Sequence, residues 1–430
     1  MIQEFKIRNF RSFKDEVCLN FEATKGSKVG GNQVVEMADG MKLLRLALVY
    51  GANASGKSNL LLAFDFLRYF WFKRKASMDD ATKTIPFLLD ANTPSEPTEF
   101  SLKFYVDDVR YWYKVSLNRE YVIEEKLSFY NKSVQPTLLF CRNYVEGQSV
   151  LKFNQSVIKV DSIVTSEITL KCLPNMSFFA ARNMVNCSLP EIDKARDWMR
   201  KQTMPVIGPR TNMFGYAGSQ MLKDSELKEY ILDFVNRADF NITDVNVEQK
   251  SEPMPANIRK ELLNDSDIPQ EAKEDLKTNV TINTIDTNFV HTVHNERGAE
   301  KYTLPSTLQS EGTRRTFGIE TAIHEAVGVD KFLPIDEIES SLHPSLIEFI
   351  LERFLKSPGR SQLLVTTHYD PLLNTVNDLL RKDSIWFTEK GEDGHSDLYS
   401  LTDFKGINKI RSFQKSYRNG VFGALPNIQI

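Results

Sequence analysis

Apolar and polar residues alternate at the start of the chain, at Ile2, Phe5, Ile7, Phe10 and Phe13, with one slip in phase after Ile2. That period of two predicts a strand. A second run, LLRLALVY from Leu43 to Tyr50, is almost continuously apolar and gives way to a glycine-containing loop. The next stretch, SNLLLAFDFLRYFWF, reads as a helix, so the order here is strand, loop, helix. Between Phe100 and Tyr130 the alternation returns with aromatic residues on one phase, at Phe100, Leu102 and Phe104, then Tyr111, Tyr113 and Val115. Aromatic and β-branched residues on one face predict an antiparallel sheet.

The character changes between about Ser188 and Arg297. Leu227, Tyr230, Ile231, Phe234, Val235 and Ala238 mark an amphipathic helix beginning at Ser225. The segment Gln249 to Lys277 is charged, carries Pro253, Pro255 and Pro269, and is expected to be an exposed excursion or a small helical lid. After Tyr302 the pattern becomes compact: a helix from about Thr313, the strand KFLPIDE, a helix opened by Pro344, and the strand QLLVTTH. The expected divisions are residues 1–187 as an N-terminal lobe, 188–300 as an insertion, 301–400 as a C-terminal lobe and 401–430 as a tail.

Composition narrows this little. Across 430 residues the apolar share of 41% and charged share of 26% are those of a globular protein. A formal charge of −3 gives no overall polyanion signal, so any nucleic-acid surface has to be local. Cys18, Cys141, Cys172 and Cys187 form no CxxC pair, which argues against a zinc ribbon and fits a reducing cytoplasm. No apolar run reaches the ~20 residues of a membrane span.

The chemistry lies in four places. GANASGKS, Gly51 to Ser58, fits G-x-x-x-x-G-K-[ST] at every fixed position. Its glycines allow a tight turn around Asn53, Ala54 and Ser55 whose N–H groups converge on phosphates. Lys57 supplies charge, and the Ser58 hydroxyl is a Mg²⁺ ligand. ATP with Mg²⁺ is therefore the expected ligand, with Gly56 and Asn59 beside it. KFLPIDE stops on Asp336 and Glu337, the first suited to hold Mg²⁺ through a water and the second to orient or deprotonate the attacking water. Pro334 removes a ladder donor inside that strand, which a bulge or a position facing no acceptor resolves. His368, directly after an apolar strand, is placed to reach a γ-phosphate. LQSEGTRRTF, Leu308 to Phe317, sets a Ser-x-Gly and two arginines at a helix start, a second anion-seeking group in a chain that already has its phosphate loop.

Together these elements resemble the ATP-binding-cassette ATPase superfamily, in its SMC, RecF and OLD-type branch. The resemblance implies an α/β P-loop head with a mixed sheet, an antiparallel β subdomain and an inserted helical lid. Leu308, Ser310, Gly312 and Arg314 resemble the family signature, with one residue inserted and Glu311 and Thr313 departing from it. DEIESSLHP, Asp336 to Pro344, is similar to small AAA-labelled ATPases, with Ser340 to His343 as the D-loop. FKIRNFRSF resembles the family's first strand and turn, where Arg11 approaches the nucleotide. KSYRNGVFGALPNI resembles the end of compact ATPases of bacterial abortive-infection and other anti-phage systems. No residue is assigned to the Q-loop glutamine. The absence of heptads, of a CxxC hook and of a DxD cluster after His368 leads us to expect neither the long coiled coil nor a Toprim nuclease domain.

In such proteins each signature caps the nucleotide held by the opposite cassette, so the resemblance implies an ATP-dependent homodimer or higher homo-oligomer. The expected function is ATP binding and hydrolysis gating a separate effector, a nuclease or toxin, in phage defence, with no membrane involved. The alternatives are a DNA-binding repair factor of the RecF kind and a weakly hydrolysing ATP-bound scaffold. Lys405, Lys409, Arg411, Lys415 and Arg418, or Lys73, Arg74 and Lys75, offer phosphate contacts to DNA, although such runs are ordinarily solvated faces.

Overall fold

The computed structural model describes residues 1–25, 30–130, 133–238, 241–264, 270–278 and 281–426. Pro269 and the last residues of the closing segment, Asn427 to Ile430, lie outside the described residues. The chain forms two compact units, one of Met1–Arg210 with Glu325–Ile430 and the other of Thr211–His324.

The first unit holds a five-stranded sheet in the order Phe332–Ile335, Gln362–Thr367, Leu46–Gly51, Ile385–Lys390, Ser396–Ser400. The first four strands are parallel and the last is antiparallel. Every residue of Leu46–Gly51 is buried, which is why that strand reads as an unbroken apolar run rather than an alternation. A second, seven-stranded sheet is antiparallel throughout and includes Ile2–Arg8, Thr98–Val106 and Val109–Leu117. Its alternating face supplies Phe5, Phe100, Leu102, Phe104, Tyr111 and Tyr113 to the core.

The helix Lys57–Phe72 lies in the same core and contributes Leu60, Leu61, Phe64, Leu67 and Trp71, beside Val49, Phe332 and Leu364 of the parallel sheet. Trp71 stacks on Phe179 with ring centroids 3.9 Å apart. Gln362 joins the two sheets, its Nε2 donating to the carbonyls of Ile2 and Leu44, each at 2.9 Å. The most deeply buried ion pair, Arg142 with Glu125 at 3.1 Å, is structural. Glu125 also accepts from Tyr113 Oη at 2.9 Å and Phe178 N at 2.8 Å, tying the helix Phe178–Arg182 to the sheet. Both charges are fully hydrogen-bonded, the condition under which a buried pair is tolerated.

The second unit pairs Asp244–Pro253, Thr281–Asn295 and Gly298–Pro305 in an antiparallel sheet. The helices Phe214–Met221 and Ser225–Arg237 belong to it, and the second is capped by Asp224 accepting from Glu226 N and Leu227 N. A side chain at Gly218 would meet Ile285 Cγ2 at 2.6 Å, so that glycine lets the first helix lie close on the sheet. Two short helices, Ala256–Asn264 and Gln270–Thr278, occupy most of the expected charged excursion, and the first buries no residue.

The division differs from the expected one in two respects. The helix Pro190–Lys201 stays with the first unit because Ile192, Ala195, Trp198 and Met199 join its core, Trp198 stacking on Phe104 at 4.2 Å. The break therefore falls at Arg210 rather than near Ser188. The residues up to Pro305 form strands beside the helices, since Thr281–Asn295 carries β-branched and aromatic residues in alternation that the surrounding polar residues mask.

Candidate functional site

In the parallel sheet the strands Leu46–Gly51, Gln362–Thr367 and Phe332–Ile335 all end at one edge, where α/β sheets bind ligands. They lead respectively into the loop Gly51–Ser58, His368, and Asp336 with Glu337.

The loop turns through two left-handed residues, Ala54 at φ 61° and Gly56 at φ 114°. Gly56 opens the helix Lys57–Phe72, and a side chain there would strike Ser396 Oγ at 2.6 Å. Ser55 Oγ bonds Thr388 Oγ1 at 2.6 Å on the neighbouring strand, so Ser55 braces the loop from behind. Lys57, only 5% exposed, lies along the loop and donates to the carbonyls of Gly51 and Ala52 at 2.8 and 2.9 Å.

Asp336 is buried, and Thr366 Oγ1 donates to its Oδ1 at 2.6 Å while accepting from Glu337 N at 2.8 Å. One hydroxyl thus fixes both acids to the histidine strand. Glu337 has φ 46°, a conformation costly for a residue with a side chain and common where geometry is imposed by function. The His368 N–H donates to the Glu339 carboxylate. Partial desolvation, then the Lys57 ammonium, holds the His368 imidazole below its ordinary value, so near neutral pH the ring is uncharged. Pro334 fits without a bulge: its carbonyl accepts from Ile207 N at 3.0 Å on the side away from Gln362–Thr367. There the segment from Thr203 to Ile207 bridges only at its two ends.

Arg11, at φ 53°, donates its backbone N–H to the Ile85 carbonyl at 2.8 Å, and its buried Nε has no hydrogen-bond partner among the described residues. Asn59 Nδ2 donates to Ser12 Oγ at 2.8 Å, so Asn59 holds this turn against the helix. Arg11, Asn53, Ala54, Gly56, Lys57, Ser58, Asn59, Glu337 and His368 line one cavity of about 490 Å³, whereas Asp336, Gly51 and Ser55 are not among its lining residues. The orphaned Arg11 Nε and the Lys57 ammonium on the same cavity suit a polyphosphate. Among the described residues no cluster of three or more His, Cys, Asp or Glu is placed to cage a metal. A Mg²⁺ bound to phosphate needs only a hydroxyl and a carboxylate from protein, and Ser58 and Asp336 fit that donor set.

Ser340 N donates to the Glu337 carbonyl at 3.0 Å, and His343 caps the helix Pro344–Lys356 by accepting from Ser345 N through Nδ1. In the second unit Ser310 accepts from Thr313 N at 3.0 Å, as an N-cap does for the helix Glu311–Gly328. Gly312 accepts from Thr316 Oγ1 at 2.8 Å, and Arg314 Nε is buried without a hydrogen-bond partner among the described residues.

Residues 46–150 and 222–374, more than half of the chain, match the family described as "AAA domain, putative AbiEii toxin, Type IV TA system". The chain belongs to this family. Comparison with curated proteins gives no match. Among solved structures the chain is similar to the SMC head domain from Thermotoga maritima, at 12% identity and a TM-score of 0.39, over 93% of this chain and 98% of that one. It is also similar to an SMC head bound to the C-winged helix domain of ScpA, at 12% identity and a TM-score of 0.38, over 97% and 99%. A third is an Smc head domain with an extended coiled coil from Pyrococcus furiosus, at 13% identity and a TM-score of 0.38, over 97% and 98%. In this AAA-family chain no helix among the described residues exceeds the 18 residues of Glu311–Gly328. None is long and apolar enough to cross a membrane.

Sequence reading missed one wall of this AAA-family pocket. Ile85, Pro86, Phe87, Leu88 and Leu89 line it, with Lys390 and Gly394. The available signal was an apolar cluster, IPFLL, standing alone between polar stretches.

Burial lowers the Lys57 ammonium to about 8, against the opposing pull of Glu337, Glu339 and Asp336. In the free protein the charge is therefore present below that pH and lost above it, whereas a phosphate in contact restores it. Nucleotide affinity is expected to be full below about pH 8 and to fall by up to about tenfold per unit above it. Calorimetric titration in buffers of different ionisation enthalpy should show proton uptake on binding near zero at about pH 7 and near one at about pH 9. Uptake that does not rise with pH would mean that Lys57 makes no phosphate contact.

Proposed function

We propose that this chain is an ATPase that binds ATP with Mg²⁺, dimerises on it, and gates a partner effector, a nuclease or toxin, in defence against phage. The observation that carries the reading is the convergence of the Gly51–Ser58 loop, the Asp336–Glu337 pair and His368 at one edge of the parallel sheet. The family description, which names a toxin of a toxin–antitoxin system, supports the defence role.

In this reading the loop N–H groups, Lys57 and Arg11 hold the phosphates, and Ser58 and Asp336 would hold a Mg²⁺ that would supply positive charge to them. Glu337 takes a proton from a water as its oxygen bonds to the γ-phosphorus and the bond to the ADP oxygen breaks. His368, uncharged near neutral pH, donates to a γ-phosphate oxygen from the adjacent strand tip. Ser310, Gly312 and Arg314 cap the nucleotide held by a second copy, with Ser340 and His343 at the same junction. Loss of the γ-phosphate then removes the ligand bridging the copies, which makes the assembly a switch.

Light scattering tests the assembly step. The purified chain should be monomeric without nucleotide and dimeric with ATP, and Ser310→Arg should keep ATP binding while losing the dimer. A Ser310→Arg dimer as stable as the unsubstituted one would sink the cross-subunit role of the signature.

A further inference from the structure

The pocket contains an apolar wall for which phosphate chemistry has no use. Ile85, Leu88 and Leu89 are 37, 53 and 65% exposed. Their loop is nevertheless fixed. Phe87 is buried, its N–H donates to Asn9 Oδ1 at 2.9 Å, and its carbonyl accepts from Thr93 Oγ1 at 3.0 Å. Asp90, just beyond, pairs with Lys14 at 2.8 Å. Large aliphatic side chains held in water on a rigid loop form a patch that a ligand's apolar face would cover favourably.

The other side of this region is the turn between Ile385–Lys390 and Ser396–Ser400. Gly394, at φ 85°, has Leu89 against it: a side chain there would meet Leu89 Cδ1 at 2.6 Å and Lys390 Cε at 3.8 Å. Leu89 and Lys390 therefore approach the same glycine. Sheet order fixes the direction. The acid and histidine strands flank the phosphate-loop strand on one side, and the strand ending at Lys390 flanks it on the other. A nucleotide whose γ-phosphate faces Glu337 and His368 must carry its ribose and base toward Leu88, Leu89 and Lys390.

We propose that the base of the bound nucleotide is seated against Leu88 and Leu89, with the Lys390 side chain beside them at the rim, and that the seat recognises the flat face of the base, not its edge. The inference rests on the nucleotide reading given above. The leucines cover one face by apolar contact, and Lys390, next to Leu89 at Gly394, brings a cation to the rim of the π system. Asp90 is engaged by Lys14, and the charged side chains that line the pocket at this end, Lys390 and Arg11, are donors only. A donor meets the ring nitrogens of adenine as readily as the O6 and N7 of guanine, so adenine and guanine nucleotides should bind alike.

The test compares ATP, GTP and inorganic tripolyphosphate by calorimetry, on the unsubstituted chain and on the Leu88→Ser, Leu89→Ser double variant. Both leucines are exposed, so the variant is expected to fold, with Lys390→Met as a second probe of the same seat. ATP and GTP should bind the unsubstituted chain within about tenfold of each other. The double variant should lose about tenfold in affinity for both and leave tripolyphosphate unchanged. Equal losses for ATP and tripolyphosphate, no loss for either, or a preference between ATP and GTP above about 100-fold would each overturn the seat. Binding of neither ATP nor tripolyphosphate to the unsubstituted chain would overturn the nucleotide reading, and the seat with it.

Discussion

Lys57→Ala is expected to weaken ATP binding by about 100-fold or more, while leaving the stability of the free protein unchanged or slightly raised. The two halves of this expectation share one cause. Lys57 is nearly inaccessible and its ammonium is held well below its usual range by burial, so in the free protein its charge is a cost that two backbone carbonyls and the carboxylates of Glu337, Glu339 and Asp336 offset only in part. Replacing it removes that cost along with the carbonyl bonds. In the complex the same ammonium meets phosphate oxygens, where a charge-assisted hydrogen bond is worth about 1.5–3 kcal/mol. Losing one such bond corresponds to roughly 10- to 100-fold in affinity, and losing two to roughly 100-fold or more. Fluorescence titration with a labelled ATP, alongside thermal melts without nucleotide, measures both halves. An affinity within about threefold of the unsubstituted chain would remove Lys57 from the phosphate site.

The residues of this pocket were legible in the sequence to the degree that their chemistry forces a local pattern. A phosphate loop needs its glycines, lysine and serine at fixed spacing because one short turn must do everything, and GANASGKS therefore announces itself. Asp336 and Glu337 were legible because an apolar strand ends abruptly on two acids. Thr366, which fixes both, was not, since a threonine inside QLLVTTH looks like any strand residue until Gln362–Thr367 is known to lie beside Phe332–Ile335.

The Ile85–Leu89 wall was invisible for a related reason. Its role depends on Asn9, Thr93 and Gly394, which are distant in sequence and meet only through tertiary packing. The strands of the second unit were masked by their surroundings: Thr281–Asn295 is mostly half-buried or buried, with polar residues between its apolar ones, and follows two charged helices that dominate the local composition. His343 illustrates the reverse lesson. Its place in DEIESSLHP suggested a part in the nucleotide junction, and its ring also has a local task as the cap of Pro344–Lys356.

Glu337→Gln should separate binding from chemistry. Glutamine keeps the shape of the glutamate, so the left-handed backbone at this position and its N–H bond to Thr366 remain available. What it loses is the ability to take a proton from water. General-base assistance of this kind contributes about 10²- to 10⁴-fold, and phosphate release at saturating ATP should fall by that amount. ATP affinity should stay within about threefold, because the phosphates are held by the loop, Lys57 and Arg11 rather than by an acid beside them. On the proposed coupling of assembly to the γ-phosphate, an ATP-bound dimer should then accumulate, visible by light scattering as a long-lived species. The combination discriminates. A variant that hydrolyses at the normal rate would exclude Glu337 as the base, even with Lys57 confirmed. A variant that stops hydrolysis and binds ATP but never dimerises would leave the site intact and break the link between nucleotide and assembly on which effector gating depends.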